Sequence, residues 1–348
     1  MENIKTKNNS FNIGNNTIGE EHVFIIAEAC DNHLGNMDIA SKMIVEAKLA
    51  GADCIKFQHH LPDEEMLPDT PMSSNFDEPL YDFLKKYALT IEQHSKLMEI
   101  CSDNKIQYLC TPFSFKAAEE LNTLGVDAFK IGSGEMTDIP SLKKISSFGK
   151  PMIISTGMST YDEILRTYNS LKNDCDNLAF MNCLSEYPPK YEDMNLKVIE
   201  KLKEILPLAV IGHSDHAPDL FTSFAAVTLG AKIIEKHVIL DKDQPGPDQS
   251  VSIDFTNLKE LVDGIRKISL SLGKEKKINT KEQEIRTWAF RSIISTIDIE
   301  NGKTITQEMI WSKRPGTGIP SWRMDEIIGK KAKKNIKKNS LINWSDLE

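Results

Sequence analysis

Residues 24–60, FIIAEACDNHLGNMDIASKMIVEAKLAGADCIKFQHH, contain two short apolar runs separated by a helical pattern. Between the runs, apolar residues from Ile39 to Ala47 recur at the spacing of one helix face, and Gly51 is typical of a helix end. Short apolar runs that alternate with helices are the units from which parallel sheets are built. We therefore predict a strand–helix–strand unit over this segment.

The same alternation continues to Leu240. The strand-like runs are FIIAEAC, CIKFQHH, YLCTPFS, AFKIGSGE, PMIISTGM, LAFMNCL, AVIGHSDH and KIIEKHVIL, which begin near residues 24, 54, 108, 128, 151, 178, 209 and 232. Eight such units favour a closed barrel over an open doubly wound sheet. We predict the α/β class and a (β/α)8 TIM barrel.

Composition changes along the chain predict four segments. Residues 1–20 are a polar N-terminal extension, and residues 21–273 contain the barrel with a last amphipathic helix from about residue 257 to 272. Residues 274–290 are rich in charge and are predicted to be a linker. Residues 291–348 contain short strand-like pieces and turns, which predict a small, mostly-β domain.

Charge and hydropathy exclude several classes of protein. A net charge of −9 disfavours a nucleic-acid partner, and the basic run KKAKKNIKK is typical of a solvated face. No apolar run reaches the roughly 18–20 residues of a membrane span, and the first residues lack the apolar core of a signal peptide. We expect a cytoplasmic protein. The six cysteines show no paired metal-binding spacing, so we expect structural thiols.

Strand alternation predicts which polar side chains face the barrel interior. In CIKFQHH, Ile55 and Phe57 share one face, so Lys56 points inward if the apolar face meets the helices. The same argument places Lys130 and Glu28 inside. Buried charges need partners, and an anionic ligand would be one for the lysines. The alternative is that these residues form solvated ion pairs near the strand ends.

Two histidines follow consecutive predicted strands, in GHSDH and EKH. His216 and His237 would therefore lie side by side at the carboxyl end of the barrel, where barrel enzymes place their active sites. Imidazole nitrogens in this position suit Mn²⁺, Zn²⁺ or Fe²⁺. Asp215, Glu235 and Asp248 could orient the ligands or the water around such an ion.

Serine and glycine are frequent at three other strand ends, in IGSGE, ISTGM and GHSD. Small residues let backbone N–H groups approach phosphate or carboxylate oxygens closely. Together with Thr111, Lys56 and Lys130, these hydroxyl and backbone groups predict one anion-binding site on the same rim.

The motifs together resemble the sialic acid (N-acetylneuraminate) synthase family, including legionaminic and pseudaminic acid synthases. The resemblance covers about 300 residues and is carried, in order, by IAEACDNHLGN, GADCIKFQ, CTPFS, KIGSGE, STGM, YPPKYEDMNL, GHSDH, EKH, PGPD and KRPGTGI. It implies a (β/α)8 barrel followed by an antifreeze-like (SAF, β-clip) domain. It also implies a homodimer in which this domain reaches over the partner's barrel.

The resemblance also implies roles for individual residues. The positions that match phosphoenolpyruvate-binding residues are Lys56, Thr111, Lys130, Ser133, Ser155, Tyr187 and Ser214. Those that match residues holding or acting on the sugar are Glu28, Gln58, Asn75, Glu135, Asp248, Phe290 and Arg314. His216 and His237 match the ligands of a divalent ion, Mn²⁺ or else Mg²⁺ or Co²⁺. Glu28, Lys56, Lys130 and Glu135 are the candidate catalytic residues.

The implied reaction condenses phosphoenolpyruvate with N-acetylmannosamine and releases phosphate. Ser185 departs from the Asn that some sialic acid synthases carry and is similar to relatives that act on 2,4-diacetamido-2,4,6-trideoxyhexoses, so such a sugar is the alternative acceptor. Three other readings of the same residues remain. They are a Schiff base on Lys56 or Lys130, a metal-dependent aldolase that uses pyruvate, and a non-catalytic saccharide-binding protein.

Overall fold

The computed structural model describes residues 9–71 and 78–348. The chain divides into two compact units, Met1–Leu272 and Gly273–Glu348. Among the helices of the described residues, none is long and apolar enough to cross a membrane.

The first unit is built on ten strands. They are β1 (Phe11–Ile13), β2 (Asn16–Ile18), β3 (Phe24–Glu28), β4 (Cys54–His59), β5 (Gln107–Pro112), β6 (Phe129–Ile131), β7 (Met152–Ser155), β8 (Leu178–Cys183), β9 (Val210–Asp215) and β10 (Ile233–His237). Strands β3 to β10 form one sheet in the order β5-β4-β3-β10-β9-β8-β7-β6, and the paired neighbours run parallel. The two end strands, β5 and β6, also contact each other, so the sheet curves into the predicted (β/α)8 barrel.

Helices connect the strands. They are α1 (Met37–Ala50), α2 (Pro62–Glu65), α3 (Leu80–Tyr87), α4 (Ile91–Asn104), α5 (Phe115–Leu124), α6 (Ile139–Ser146), α7 (Tyr161–Leu171), α8 (Val198–Ile205), α9 (Phe221–Thr228) and α10 (Phe255–Ser271), with 3₁₀ turns at Tyr191–Asp193 and Gln249–Val251. Helix α1 begins where the Asn36 side chain accepts hydrogen bonds from two backbone N–H groups, and it ends at Gly51, whose φ of +89° suits glycine.

The barrel strands separate two apolar layers. Ile55 and Phe57 of β4 pack with the buried faces of the helices in the outer layer. Cys54 and Ile26 belong to an inner cluster inside the barrel. Since successive side chains of a strand point to opposite faces, this phase directs Lys56 into the barrel, as predicted.

The N-terminal hairpin contributes to the inner layer. Strands β1 and β2 pair antiparallel, and Phe11, Ile13 and Ile18 join the inner cluster. This cluster includes Phe24, the first residue of β3, so the hairpin fills the barrel at the ends where its strands begin. Residues that the sequence predicts only as an extension therefore complete the core, while the opposite end stays open to polar groups.

The second unit contains one helix and a small β structure. Helix α11 (Thr280–Ala289) lies within the segment predicted as a linker. Strands β11 (Ser292–Ser295) and β12 (Ile310–Lys313) pair antiparallel, and further isolated bridges connect the chain, for example between Ile299 and Ile336. Buried isoleucines such as Ile293 and Ile327 form the core of this unit. Its 3₁₀ turns are Gln307–Met309, Ser321–Glu326 and Trp344–Asp346.

Candidate active site

A cavity of about 440 Å³ opens at the carboxyl ends of the barrel strands. Except for Asp215, the barrel residues predicted for the site that fall within the described chain line it. They are Glu28, Lys56, Gln58, Thr111, Lys130, Ser133, Glu135, Ser155, Ser185, Tyr187, Ser214, His216, His237 and Asp248. Asn75 lies outside the described residues. The structure thus brings these side chains to one place, and their individual roles stay predictions.

Two buried lysines and two buried glutamates form the floor of the cavity. Lys56 Nζ lies 2.5 Å from Glu28 Oε2 and donates to Thr111 Oγ1 at 2.9 Å. Glu235 Oε1 lies between the two lysines, 3.2 Å from Lys130 Nζ and 3.7 Å from Lys56 Nζ. All four charged side chains are at most 4 % exposed, so the alternative of solvated ion pairs is wrong.

Burial and the neighbouring charges together shift the pKa values of the two carboxyl groups in opposite directions. For Glu235, burial opposes the charged form, but Lys130 and Lys56 outweigh it and lower the pKa. For Glu28, burial raises the pKa, and the nearby charge of Glu235 adds to this against the opposing effect of Lys56. The carboxyl group of Glu28 therefore takes up a proton more readily than that of Glu235.

Hydroxyl groups surround the lysines. Lys130 Nζ donates to Ser155 Oγ at 2.9 Å, and Ser214 Oγ donates to Glu235 Oε1 at 3.1 Å. The backbone N–H of Gly157 donates to Ser133 Oγ at 3.0 Å. A Cβ added at residue 157 would lie 2.2 Å from Ser185 Oγ and 2.8 Å from Ser133 Oγ, so any other residue would force these hydroxyl groups to move. The serines and Gly157 leave a small polar recess that suits the oxygens of an anion.

Glu135 lies on the cavity wall in a largely apolar setting. Burial raises the pKa of its carboxyl group to about 7. Its Oε2 atom has no hydrogen-bond partner in the described structure, and it sits so close to Gly132 that a Cβ there would be 2.3 Å away. A carboxyl group with a pKa near neutrality can both give and accept a proton.

His216 and His237 lie at the ends of the neighbouring strands β9 and β10, with ring centroids 5.0 Å apart. His216 Nδ1–H donates to the carbonyl oxygen of Leu184 at 2.7 Å, and its Nε2 atom lies 3.2 Å from the Tyr187 hydroxyl. A carbonyl that holds one imidazole nitrogen leaves the other available, as in metal-binding histidines. His237 Nδ1 is buried and, among the described residues, has no hydrogen-bond partner.

Cys183 at the end of β8 contacts His216. Burial opposes ionisation of both groups, but their attraction and mutual hydrogen bond lower the pKa of Cys183 and raise that of His216 to about 9. A metal ion bound at the Nε2 atom of His216 would have to displace that proton.

A second group of donor atoms adjoins His237. The Sγ atom of Cys30, a ring nitrogen of His237 and a carboxylate oxygen of Asp248 all lie within 4.8 Å of one another. Burial, followed by the charge of Asp248, raises the pKa of the Cys30 thiol. His216 lies beside His237, and a set of nitrogen, oxygen and sulfur donors of this kind fits a divalent transition-metal ion.

The structure places two residues that were predicted to orient metal ligands, Asp215 and Glu235, away from that role. Asp215 does not face the histidines. Its carboxylate lies on the outer side of the barrel, 3.1 Å from Lys236 Nζ, where it accepts hydrogen bonds from Thr222 and Ser223. Strand phase explains the error, because Asp215 alternates with Ser214, which points inward. Glu235 contacts the lysines rather than orienting metal ligands.

His60, which the sequence offers as a weaker candidate for the metal site, also lines the cavity. Its Nε2 atom lies 3.1 Å from Gln58 Oε1 and its Nδ1 atom 3.0 Å from Glu65 Oε1, and its ring stacks on Phe113 with centroids 4.1 Å apart. Glu65 belongs to α2, in the long connection after β4. The length of that connection was the signal that could have pointed to a binding residue here.

The two predicted residues of the C-terminal segment lie in the second unit. Arg314 Nε donates to the carbonyl oxygen of Ala289 at 3.0 Å, and its guanidinium group lies 5.5 Å from the ring centroid of Trp288. Phe290 follows α11, and the guanidinium of Arg286 lies 4.5 Å from its ring centroid. Both predicted residues are exposed within this unit.

Comparison with known proteins adds two family matches. The NeuB family matches residues 43–277, and the SAF domain matches residues 290–348. The N,N′-diacetyllegionaminic acid synthase of Campylobacter jejuni is 37 % identical over 91 % of this chain and 98 % of its own length. The pseudaminic acid synthase of the same species is 36 % identical over 94 % of this chain and 98 % of its own.

A solved structure agrees with these matches. The crystal structure of the N-acetylneuraminic acid (sialic acid) synthetase of Leptospira borgpetersenii, in complex with citrate, superposes with a TM-score of 0.73 at 31 % identity. The superposition covers 79 % of this chain and 94 % of that one.

Proposed function

Because the chain belongs to the NeuB family of phosphoenolpyruvate-dependent synthases and carries a SAF domain, we propose that it condenses phosphoenolpyruvate with an amino-sugar aldehyde. In this reaction C3 of phosphoenolpyruvate attacks the aldehyde carbon, water adds at C2, and phosphate leaves by cleavage of the C–O bond. The product is a nine-carbon acidic sugar. The observation that carries the proposal is the buried Lys56–Glu235–Lys130 cluster, which shares one cavity with the His216–His237 pair.

The lysines and the hydroxyl groups supply the binding site for phosphoenolpyruvate. Lys56 and Lys130 carry the positive charge, and Thr111, Ser155 and Ser214 already contact members of the cluster. Ser133, Ser185 and the N–H of Gly157 add donors in the recess beside them. An arriving anion competes with Glu28 and Glu235 for the lysines, and the raised pKa of Glu28 makes its protonation the easier adjustment.

Glu135 is the proposed proton-transfer residue. Its pKa of about 7 lets a large fraction of the carboxyl groups exist in each protonation state near neutral pH. A proton held there can be given to the developing alkoxide of the sugar, or one can be taken from the water that adds at C2. Gln58 and Asp248 line the space next to Glu135 and the lysines, where the sugar would bind.

His216 and His237 are the proposed ligands of a divalent ion, Mn²⁺ in the first instance, with Mg²⁺ or Co²⁺ as substitutes. A bound ion would act as a Lewis acid that stabilises negative charge on the aldehyde oxygen. The chain's own contribution is to present the two imidazoles from adjacent strands and to hold the ring of His216 through the Leu184 carbonyl.

Two candidate acceptors differ in the substituents on the sugar. The sequence predicts N-acetylmannosamine. A 2,4-diacetamido-2,4,6-trideoxyhexose is the second candidate, favoured by Ser185 and by the similarity to an N,N′-diacetyllegionaminic acid synthase. Met158 and His60, which also line the cavity, are neighbours that could contact those substituents.

Phosphate release tests the reaction. The protein is incubated with phosphoenolpyruvate, each aldehyde in turn, and Mn²⁺ or a chelator, and the nonulosonic acid is identified by mass spectrometry. We expect equal amounts of phosphate and product, dependent on both substrates and on the metal. Product formed from pyruvate would instead indicate an aldolase, and binding of the sugar without any product would indicate a saccharide-binding protein.

Borohydride trapping tests the covalent alternative. A Schiff base would need a neutral amine, whereas Glu235 and Glu28 raise the pKa of Lys56 against the effect of burial. We therefore expect no reduced adduct on Lys56 or Lys130 after treatment in the presence of substrates. A stable adduct on either lysine would contradict the proposed mechanism.

Arg314 and Phe290 of the second unit are proposed to act on substrate in a second copy of the chain. We infer that the protein works as a homodimer in which the SAF domain of one copy supplies Arg314 to the cavity of the other. Support comes from the resemblance and from the exposure of both side chains, whose guanidinium and ring are free to meet a sugar or a carboxylate.

A further inference from the structure

We propose that the Cys30 thiolate is a ligand of the divalent ion, together with the His237 imidazole and the Asp248 carboxylate. His216, on the adjacent strand, completes the set. This inference rests on the metal-dependent reaction proposed above and goes beyond it, because it adds a sulfur ligand to the two histidines.

The position of Cys30 in the fold supports this assignment. Cys30 lies two residues after Glu28, which ends β3 and lines the cavity, and β3 pairs with β10, which ends at His237. In that pairing Glu28 lies opposite His237, so the turn that carries Cys30 starts beside the histidine. Asp248 lies in the loop after β10, and a carboxylate oxygen of Asp248 lies within 4.8 Å of Cys30 Sγ.

The distances fit a shared ion. Two ligands of a tetrahedral ion lie about 3.6 Å apart for a sulfur and a nitrogen at typical zinc distances. The three donor atoms lie within 4.8 Å of one another, so a contraction of about 1 Å at most is needed. Rotations about the side-chain bonds of the three residues supply a movement of this size.

A buried nitrogen of His237 without a hydrogen-bond partner supports a bound ion at this place. His237 is 5 % exposed, and its Nδ1 atom has no hydrogen-bond partner among the described residues. Buried polar atoms are nearly always paired, and an ion or an ordered water accounts for the exceptions. Cys30 itself is a free thiol and fully buried, so it has no disulfide that would explain its place next to a histidine and a carboxylate.

The backbone also holds Cys30 in an unusual conformation. Its φ is +40°, in the left-handed region that few residues other than glycine, asparagine and aspartate adopt. Asn32, in the same turn, connects it to the loop after β10. Its Nδ2 atom donates hydrogen bonds to the Val238 carbonyl oxygen and to Ser252 Oγ, both at 2.9 Å. The turn that directs the thiol is therefore fixed to the segment that carries Asp248.

A sulfur ligand has a consequence for metal choice. Thiolates favour Co²⁺, Zn²⁺ and Fe²⁺, whereas carboxylate and water ligands suit Mg²⁺ and Mn²⁺. We expect the protein to bind Co²⁺ and Zn²⁺ more tightly than Mn²⁺ and much more tightly than Mg²⁺. Removal of a group that only orients a metal ligand typically weakens metal binding by about 10–100-fold. Replacement of Cys30, a proposed ligand, by serine should therefore reduce the affinity for Co²⁺ by at least about tenfold. The affinity for Mn²⁺ should fall by a smaller factor.

Cobalt spectroscopy tests the proposal on the full chain. The protein is freed of metal, loaded with Co²⁺ in thiol-free buffer, and its bound cobalt is measured by elemental analysis. We expect a sulfur-to-cobalt charge-transfer band in the near ultraviolet, which Cys30→Ser should abolish. Cys183→Ser is the matched variant, because Cys183 is the other thiol that contacts a proposed ligand, His216, and its band should remain.

The outcomes separate this inference from the proposed function. Cobalt binding without the band, or loss of the band in Cys183→Ser but not in Cys30→Ser, would overturn the role of Cys30 and leave the two histidines as ligands. Absence of cobalt binding altogether would overturn both. If Cys30→Ser does not fold, X-ray absorption of the zinc-loaded wild-type protein and of Cys183→Ser tests the same ligand. We expect a sulfur neighbour of zinc at about 2.3 Å in both proteins. Absence of this neighbour would exclude thiolate ligation.

Discussion

Glu235 lies between the two lysines of the cavity, and together with Glu28 it provides the partners of their positive charges inside the barrel. Its Oε1 atom contacts Lys130, Lys56 and Ser214. Removing one partner from such a buried cluster usually costs about 3–5 kcal/mol, because it leaves an uncompensated charge. In the proposed reaction this pairing is exchanged for contacts with an incoming anion, so the lysines keep a charged partner in both states.

Glu135 gives a pH-dependent prediction. Its folded-state pKa of about 7 lies above the ordinary 4.5, so the folded protein binds this proton more tightly than the unfolded chain does. The resulting stability is present below about pH 4.5 and is lost as the pH rises through about 7. Glu135→Gln keeps a neutral side chain throughout. We expect its melting temperature to match that of the wild type near pH 5 and to exceed it at pH 8.

The same variant tests the catalytic role of Glu135. A proton-transfer residue contributes about 10²–10⁴-fold to the rate, so kcat should fall within that range and the ionisation near pH 7 should vanish from the pH profile of kcat/KM. Glu200→Gln, at an exposed site on α8, is the control and should change neither melting temperature nor rate. An unchanged pH profile in Glu135→Gln would assign the proton transfer to another group.

Gly157 gives a steric prediction. Alanine at this position would place a methyl group 2.2 Å from Ser185 Oγ and 2.8 Å from Ser133 Oγ. Overpacking of about 1–3 kcal/mol is expected, and since it falls on the recess proposed for the phosphate or carboxylate, KM for phosphoenolpyruvate should rise by about tenfold or more. Gly273→Ala is the control, because Gly273 is not a lining residue of the cavity and no atom lies within 4 Å of its added Cβ. Equal effects of the two substitutions would contradict a specific role for the recess.

The residues of the site differ in how well the sequence predicts them. Lys56 and Lys130 could be placed inside the barrel because strand phase follows directly from apolar alternation. Glu235 shares that phase, but its contact with both lysines depends on the tilt and register of strands on different sides of the barrel, which a single sequence does not contain. Cys30 was missed because its turn brings it next to Asp248, which lies more than 200 residues later.

At the level of elements, the barrel strands agree with the sequence pattern because they carry strong local signals. Gly51 ends α1 as predicted, and the side chain of Asn36 caps its first turn. The hairpin β1–β2 has no comparable signal, since its strands have three residues each and only Phe11, Ile13 and Ile18 are apolar and buried. Its structure depends on the barrel interior against which it packs, and so it could not be predicted locally.

This dependence predicts a stability effect that is separate from catalysis. Ile13 is fully buried in the inner cluster, so Ile13→Ala should lower the free energy of unfolding by about 2–5 kcal/mol. The active site lies at the other end of the strands, so KM values measured under native conditions should be unchanged. Urea unfolding followed by circular dichroism provides the measurement.

Thr17 provides the control within the same hairpin. It is exposed and hydrogen-bonds the side chain of Asn12 at 3.0 Å, so Thr17→Ala should change the free energy of unfolding by no more than about 0.5 kcal/mol. A small effect of Ile13→Ala would mean that the hairpin does not contribute to the folding of the barrel.

At the scale of the whole molecule, the described residues that line the candidate active site all belong to the barrel unit. Arg314 and Phe290 belong to the second unit. The core of the second unit is separate and rests on its own isoleucines. If Arg314 acts on a substrate held in the barrel of a second copy, as proposed, the protein has two composite sites, and each needs residues from both chains.

Mixing of two inactive variants tests this composite site. Lys56→Ala damages the barrel, and Arg314→Ala damages only the proposed contribution in trans. A hybrid dimer then contains one site with an intact barrel and an intact Arg314 from the other chain. Random exchange at equal concentrations should restore roughly a quarter of the wild-type rate, because half of the dimers are hybrids and each has one intact site.

Lys56→Ala mixed with Lys130→Ala is the matched control for subunit exchange. Both substitutions lie in the barrel cavity, so neither site of a hybrid is intact and no activity should return. Exchange is verified with two affinity tags and native mass spectrometry. If verified hybrids of Lys56→Ala with Arg314→Ala remain inactive while Arg314→Ala alone is also inactive, then Arg314 serves the barrel of its own chain. If Arg314→Ala alone is fully active, the residue has no part in the reaction, and the exposed guanidinium belongs to the surface of the SAF domain.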